Sequence, residues 1–190
     1  MTKRDNHYEA AFEQYLRGWG VPYVAIDETR RSLVAQSADP SGGGEHESGR
    51  SIKNADFIVS PDSAVRYIVD VKGRRFPSGV KHKQYWTNWS TEDDLVGLRR
   101  WENFLGGNFQ ALLIFAFDLT ADRSPLPVDR IFTFAKHRYA FLGVSLEDYL
   151  TESRIVSPRW RTFSMTAKRF REKATPIDEL FGLLQPEPAS

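Results

Sequence analysis

The stretch Val65-Arg66-Tyr67-Ile68-Val69-Asp70-Val71-Lys72-Gly73 decides how this chain is read. A run of β-formers leads into an acid and a lysine two residues apart. Alternation along a strand puts Asp70 and Lys72 on one face and Val69 and Val71 on the other. The spacing predicts a strand over 65–71 that closes on this charged pair before Gly73. Upstream, Ala55-Asp56-Phe57-Ile58-Val59-Ser60 reads as a partner strand, with Ser60-Pro61-Asp62-Ser63 as the turn of an antiparallel hairpin. Asp56 opens one strand and Asp70 closes the other, so a splayed hairpin end brings both carboxylates to one hard cation. Within about 4 Å they repel by roughly 4 kcal/mol at an effective dielectric of 20, a repulsion that a divalent ion between them removes. Lys72 is the complementary charge, suited to orienting or deprotonating a water or to stabilising a phosphorane-like transition state.

Working outward, Tyr8, Ala11, Phe12, Tyr15, Leu16 and Trp19 follow the helical period, and Gly18 and Gly20 supply the stop, so a helix is expected from about Asp5 to Arg17. Val21 to Ile26 reads as a first strand. The Ser/Gly-rich stretch Ser37 to Ser51 reads as a mobile loop. Thr91 followed by Glu92, Asp93 and Asp94 marks a helix start, Leu95, Leu98, Trp101 and Leu105 give its apolar stripe, and Gly106-Gly107 ends it. Phe109 to Leu119 is continuously apolar, as befits a strand in mid-sheet. Ile131 to Ala135 and Arg138 to Val144 suggest a hairpin about Lys136-His137, followed by a short helix near Leu146. The expected architecture is α/β, a central mixed sheet flanked by helices. It divides into a core over residues 1–126, a C-terminal hairpin and helical extension over 127–185 on the same domain, and a frayed tail over 186–190.

Composition narrows the chemistry. The chain has 190 residues, 41% hydrophobic and 27% charged, enough for one folded domain. With no cysteine, thiolate nucleophiles, cysteine-ligated zinc and iron–sulfur chemistry are excluded. Gly42-Gly43-Gly44-Glu45 lacks the ending of a phosphate-binding loop, no G-x-S-x-G elbow exists, and His7, His46, His82 and His137 show no metal-ligand spacing. The longest apolar run, Ala111 to Phe117, cannot span a bilayer, and no apolar stretch follows the N-terminal charges, so a cytoplasmic protein is expected. Net charge is only +1, but Lys72 to Lys83 holds five basic residues and no acid, and Arg154 to Lys173 holds seven against the lone Glu172. Arg74, Arg75, Lys81 and Lys83 are weak candidates for phosphate contacts. Trp86 and Trp89 read first as packing residues, with base stacking as the alternative, and Trp160, Phe163 and Phe170 as a tertiary seam.

The order of a glutamate-bearing helix, a strand opening on Asp56 and a strand carrying Asp70-Val71-Lys72 resembles the PD-(D/E)xK nuclease superfamily over roughly Asp5 to Leu119. The resemblance implies an αβββαβ core and cleavage of phosphodiesters, with DNA the expected substrate and Mg²⁺ or Mn²⁺ the metal. It implies Asp56, Asp70 and the Val71 carbonyl as metal ligands, Lys72 as the catalytic lysine, and Glu9 as a helix-borne acid reaching the metal through water. Glu13 competes with Glu9, since the two lie about 6 Å and 40° apart on one helical flank. Ala55 stands where the superfamily has its proline. More narrowly, His7-Tyr8-Glu9-Ala10-Ala11-Phe12-Glu13 is similar to the signature of the uncharacterised bacterial HYExAFE family. Asp70 to Arg74, Trp86 to Asp94 and Ser157 to Trp160 extend that likeness. The competing reading is a silent nuclease-like fold that binds nucleic acid or protein, its carboxylates serving structure. Oligomeric state stays open, a homodimer being one option.

Overall fold

Asn6 starts the first helix: its side chain accepts from the Tyr8 amide, and Ala11, Phe12, Tyr15 and Leu16 form the buried stripe that the helical period predicts. The computed structural model describes residues 6–26, 54–62 and 64–183. Asp5, His46, the stretch 37–51 and the tail 186–190 therefore lie outside the described residues. The first half comprises α1 (His7–Gly18), β1 (Tyr23–Ala25), β2 (Phe57–Val59), β3 (Arg66–Phe76), β4 (Ser90–Thr91), α2 (Glu92–Leu105) and β5 (Phe109–Leu119). There follow a single 3-10 turn (Val128–Arg130), β6 (Phe132–Phe134), β7 (His137–Ser145), α3 (Leu146–Glu152) and β8 (Arg154–Ser157). The chain ends with β9 (Thr162–Ser164), α4 (Ala167–Lys173), β10 (Thr175–Pro176) and α5 (Ile177–Leu180). No described helix is long and apolar enough to cross a membrane.

The main sheet has the order β1-β2-β3-β5-β7-β10, with β6 also paired to β7. The β2–β3 hairpin is antiparallel as expected, β3 runs parallel to β5, and β5 is antiparallel to β7. Thus β5 lies centrally, as its unbroken apolar sequence requires, and both of its faces are covered. On one face α1 packs Phe12 and Leu16 against Val69, Val71, Leu112 and Ile114. On the other, Leu95 and Leu98 of α2, Tyr149 of α3 and Phe170 of α4 pack against Ile68, Leu113, Phe115 and Phe117. This is the α/β architecture read from the sequence, a mixed sheet between helices. Residues after 127 supply β7 and β10 to that same sheet, and β4, β9 and β8 form a second, three-stranded one.

Three local expectations are corrected. The third strand does not close at Lys72: pairing with β5 continues from Arg66↔Phe109 to Phe76↔Leu119, so Asp70 and Lys72 stand within it and the basic stretch from Lys72 begins as strand through Phe76. Gly73 misled because glycine so often ends a strand, whereas here it admits a neighbour. A Cβ on Gly73 would collide with the Tyr8 ring, which lies directly over it. The second hairpin turns at Ala135-Lys136, both with positive φ (47° and 70°), and His137 is already in β7, paired with Phe134. The aromatic seam also divides: Phe170 is fully buried and Phe163 half-buried, but Trp160 is 68% exposed.

Candidate active site

Asp70 and Lys72 project from β3 toward α2, because their parity is that of Ile68 and opposite to that of Val69 and Val71. Both are buried. The Lys72 ammonium lies 2.5 Å from Asp70 Oδ2 and 2.8 Å from Asp94 Oδ2, a lysine held between two acids. Asp70 Oδ2 makes no hydrogen bond of good geometry, so its contact with Lys72 is charge pairing rather than a directed bond. Asp56 precedes β2, at the position that the Phe57↔Val69 register carries opposite Asp70. Its backbone amide donates to the Val69 carbonyl (2.8 Å), and the Val71 amide donates to its Oδ2 (2.6 Å). The register thus sets Asp56 opposite Asp70 where the hairpin opens.

Electrostatics register the crowding. Burial, then Asp70, then Glu9, holds the Asp56 carboxyl well above the usual carboxylate range, and the Val71 N–H and Lys72 only partly offset this. Glu9 thus belongs to the same electrostatic neighbourhood; its Oε1 also accepts from Asn6 Nδ2 at 2.7 Å. Glu13 is engaged elsewhere, its Oε1 accepting from Arg17 and from the Tyr23 hydroxyl, each at 2.8 Å. Arg74 lies on the Asp70 face, its guanidinium 4.0 Å from the centre of the Trp89 ring and donating to the carbonyls of Gly73 and Trp89. Burial lowers its pKa, opposed by Tyr149, Asp70, Asp94 and Tyr8. Trp89 is 42% exposed beneath the Arg74 guanidinium, whereas Trp86 packs against Phe76, Phe117 and Phe170 as expected. Arg75, Lys81 and Lys83 are exposed, and Arg75 lies on the opposite face of β3.

Asp94 is the site residue that sequence reasoning missed. It was legible only as a helix-start acid, and it does close a capping box with Thr91. Its Oδ2 also accepts from the Ser90 hydroxyl at 3.1 Å and the Thr91 amide at 3.0 Å while facing Lys72. No linear spacing signals this, because the packing of α2 on β3 brings the acid to the lysine.

Among the described residues no group of three or more histidine, aspartate or glutamate side chains is arranged to hold a metal ion. The donor set nevertheless fits a hard divalent cation. Magnesium needs only one or two carboxylates and keeps several waters, and Asp56 and Asp70 are two buried, mutually repelling carboxylates of that kind.

The described elements form a restriction-endonuclease-like fold, a mixed central sheet flanked by helices. Among solved structures, the chain resembles the Holliday junction resolvase Hjc of the archaeal hyperthermophile Archaeoglobus fulgidus, with a TM-score of 0.50 and 12% sequence identity. The match covers 93% of this chain and 98% of that one. No protein-family model and none of the curated proteins match the sequence.

Proposed function

We propose that this protein is a metal-dependent nuclease that hydrolyses phosphodiester bonds in DNA, with a sequence related to the HYExAFE group and a cytoplasmic setting. One observation carries the reading: a buried lysine and two buried, mutually repelling carboxylates lie where the β2–β3 hairpin opens, in a sheet like that of a resolvase. Asp56, Asp70 and the Val71 carbonyl would hold Mg²⁺ or Mn²⁺, with Glu9 reaching it through water. Bound there, the ion would polarise a phosphoryl oxygen and lower the pKa of a bound water. Lys72 holds an ammonium at the reacting phosphate, where developing negative charge is stabilised most in a low-dielectric site. Asp94 and Asp70 fix its position, and Arg74, steadied on Trp89, presents a cation at the entrance.

The test is incubation with supercoiled, linear, single-stranded and four-way-junction DNA and with RNA, in Mg²⁺, Mn²⁺ or EDTA, beside a Lys72→Ala control. Metal-dependent cleavage of DNA that the variant loses is the expected result. The four-way junction is included because the structural neighbour is a junction resolvase. The second reading, a silent nuclease-like binding module, is favoured by one observation: Lys72 already faces two carboxylates. Absence of cleavage on every substrate, together with no calorimetric metal binding, selects it.

A further inference from the structure

Outside the carboxylate–lysine site, His7 enters a second cluster at the ends of β3, β5 and β7. Register sets Arg75 beside Asp118 and Asp118 beside Tyr139, so all three share the sheet face that α1 covers. His137, two residues before Tyr139, shares it too. Each imidazole is pinned through Nδ1, His7 to the Tyr139 hydroxyl at 2.6 Å and His137 to Asp118 Oδ2 at 3.1 Å, with the ring centroids 5.1 Å apart. Both anchors are buried, at 0% and 5% exposure, whereas His7, His137 and Arg75 are exposed. Arg75 joins the two rings on this face through its pairing beside Asp118.

The anchors decide where the protons sit. A carboxylate only accepts, so the neutral His137 carries its hydrogen on Nδ1 and presents Nε2 as an acceptor. Burial, then Asp118, pushes the Tyr139 phenol up to about 12. The phenol thus holds His7 Nδ1 and leaves Nε2 to outside partners, as an N–H in the tautomer in which the phenol donates. Neither Nε2 is bonded to a described residue, and Arg75 has no ion pair among them. Two ring Nε2 atoms and a guanidinium on one sheet face thus have no hydrogen-bond or ion-pair partner among the described residues, while Asp118 Oδ2 is held by His137.

We propose that this cluster binds a phosphate monoester. Two phosphoryl oxygens accept from Arg75 and from the His7 Nε2–H, and a third shares one proton with His137 Nε2. The site lies on the opposite face of β3 from Lys72 and requires no cleavage there. It narrows the expected role of Arg75, from general phosphate contact to recognition of a terminal phosphate.

The test is a ¹H–¹³C correlation spectrum of the imidazole Cε1–H signals of the full chain, assigned with single His→Gln variants. At one fixed pH it is titrated with inorganic phosphate, then with a short deoxyoligonucleotide carrying either a 5′ phosphate or a 5′ hydroxyl. Saturable shifts of His7 and His137, leaving His82 unmoved, are expected. Arg75→Gln, an exposed substitution, should weaken phosphate at least tenfold, and Asp118→Asn, which loosens His137 at nearly constant shape, should weaken it as well. Tighter binding of the 5′-phosphorylated strand than of its 5′-hydroxyl twin assigns the ligand to a nucleic-acid end. Equal binding of the two strands, with phosphate still saturating, assigns it to a small phosphate ester. No saturable shift with phosphate, or one unchanged in Arg75→Gln, overturns the site.

Discussion

Lys72 is where structure and chemistry are hardest to separate. Removing one partner of a buried ionic cluster strands the others, a loss of about 3–5 kcal/mol, and Lys72→Ala leaves Asp70 and Asp94 facing each other without a cation. Lower denaturant stability of that order is expected, so its activity must be read well below its melting temperature, beside the milder Asp70→Asn. Asp56 offers a cleaner handle. Its folded pKa is raised, so the folded protein holds a proton there that the unfolded chain releases first. Stability from this group is full below the unfolded value, about 3.9, and is lost as pH climbs through the folded one. Asp56→Asn keeps an acceptor for the Val71 amide, and its melting temperature should exceed that of the parent at about pH 8 and match it near pH 3. A Mg²⁺- or Mn²⁺-dependent rise in melting temperature should appear at the higher pH and vanish in that variant. At this scale the shared face of Asp70 and Lys72 was legible because strand parity is a local property, whereas the strand end expected there was not found, since β3 runs on to Phe76. Asp94 was legible only as a cap, since its second role depends on a contact between elements far apart in sequence.

Among elements, the N-terminal turn of α1 and the middle of β3 fit together at a single point, the Tyr8 ring on Gly73. Gly73→Ala overpacks that contact and should cost about 1–3 kcal/mol, and Tyr8→Ala in the same chain should recover part of it, as a double-mutant cycle from chemical denaturation would measure. The position of Gly73 was visible in the sequence but its meaning was not, because the same residue ends a strand or admits a ring depending on what packs above it. The start of α2 is the opposite case: Thr91, Asp94 and the apolar stripe declare it locally, and Thr91→Ala should lower stability by about 1 kcal/mol through the lost cap. The small sheet was not legible at all. Its β4 is two residues long, and it is clasped to the core by buried Asn88, which accepts from the Met165 amide and donates to the Met165 carbonyl, and by the Tyr149 hydroxyl on the Asn88 carbonyl.

For the whole molecule, the parallel β3–β5 pair organises everything else. The sequence made β5 central through its apolar run, yet the partner on its far side, β7, comes from residues that read as an appended hairpin. Seven consecutive pairs, from Leu112↔Ser145 to Asp118↔Tyr139, tie β7 to β5. A fragment ending at residue 126 therefore bares an apolar strand edge, and it should aggregate or remain unfolded by circular dichroism while the full chain is soluble and cooperative. The same pairing orders events in time. Every member of the carboxylate–lysine cluster is translated by residue 94, but β3 has no neighbour on one side until β5 has emerged, and β5 none until β7 has. During synthesis these residues thus wait some fifty residues for the last of the pairing that backs β3 through β5, so the surroundings of the cluster are completed only near the end of translation.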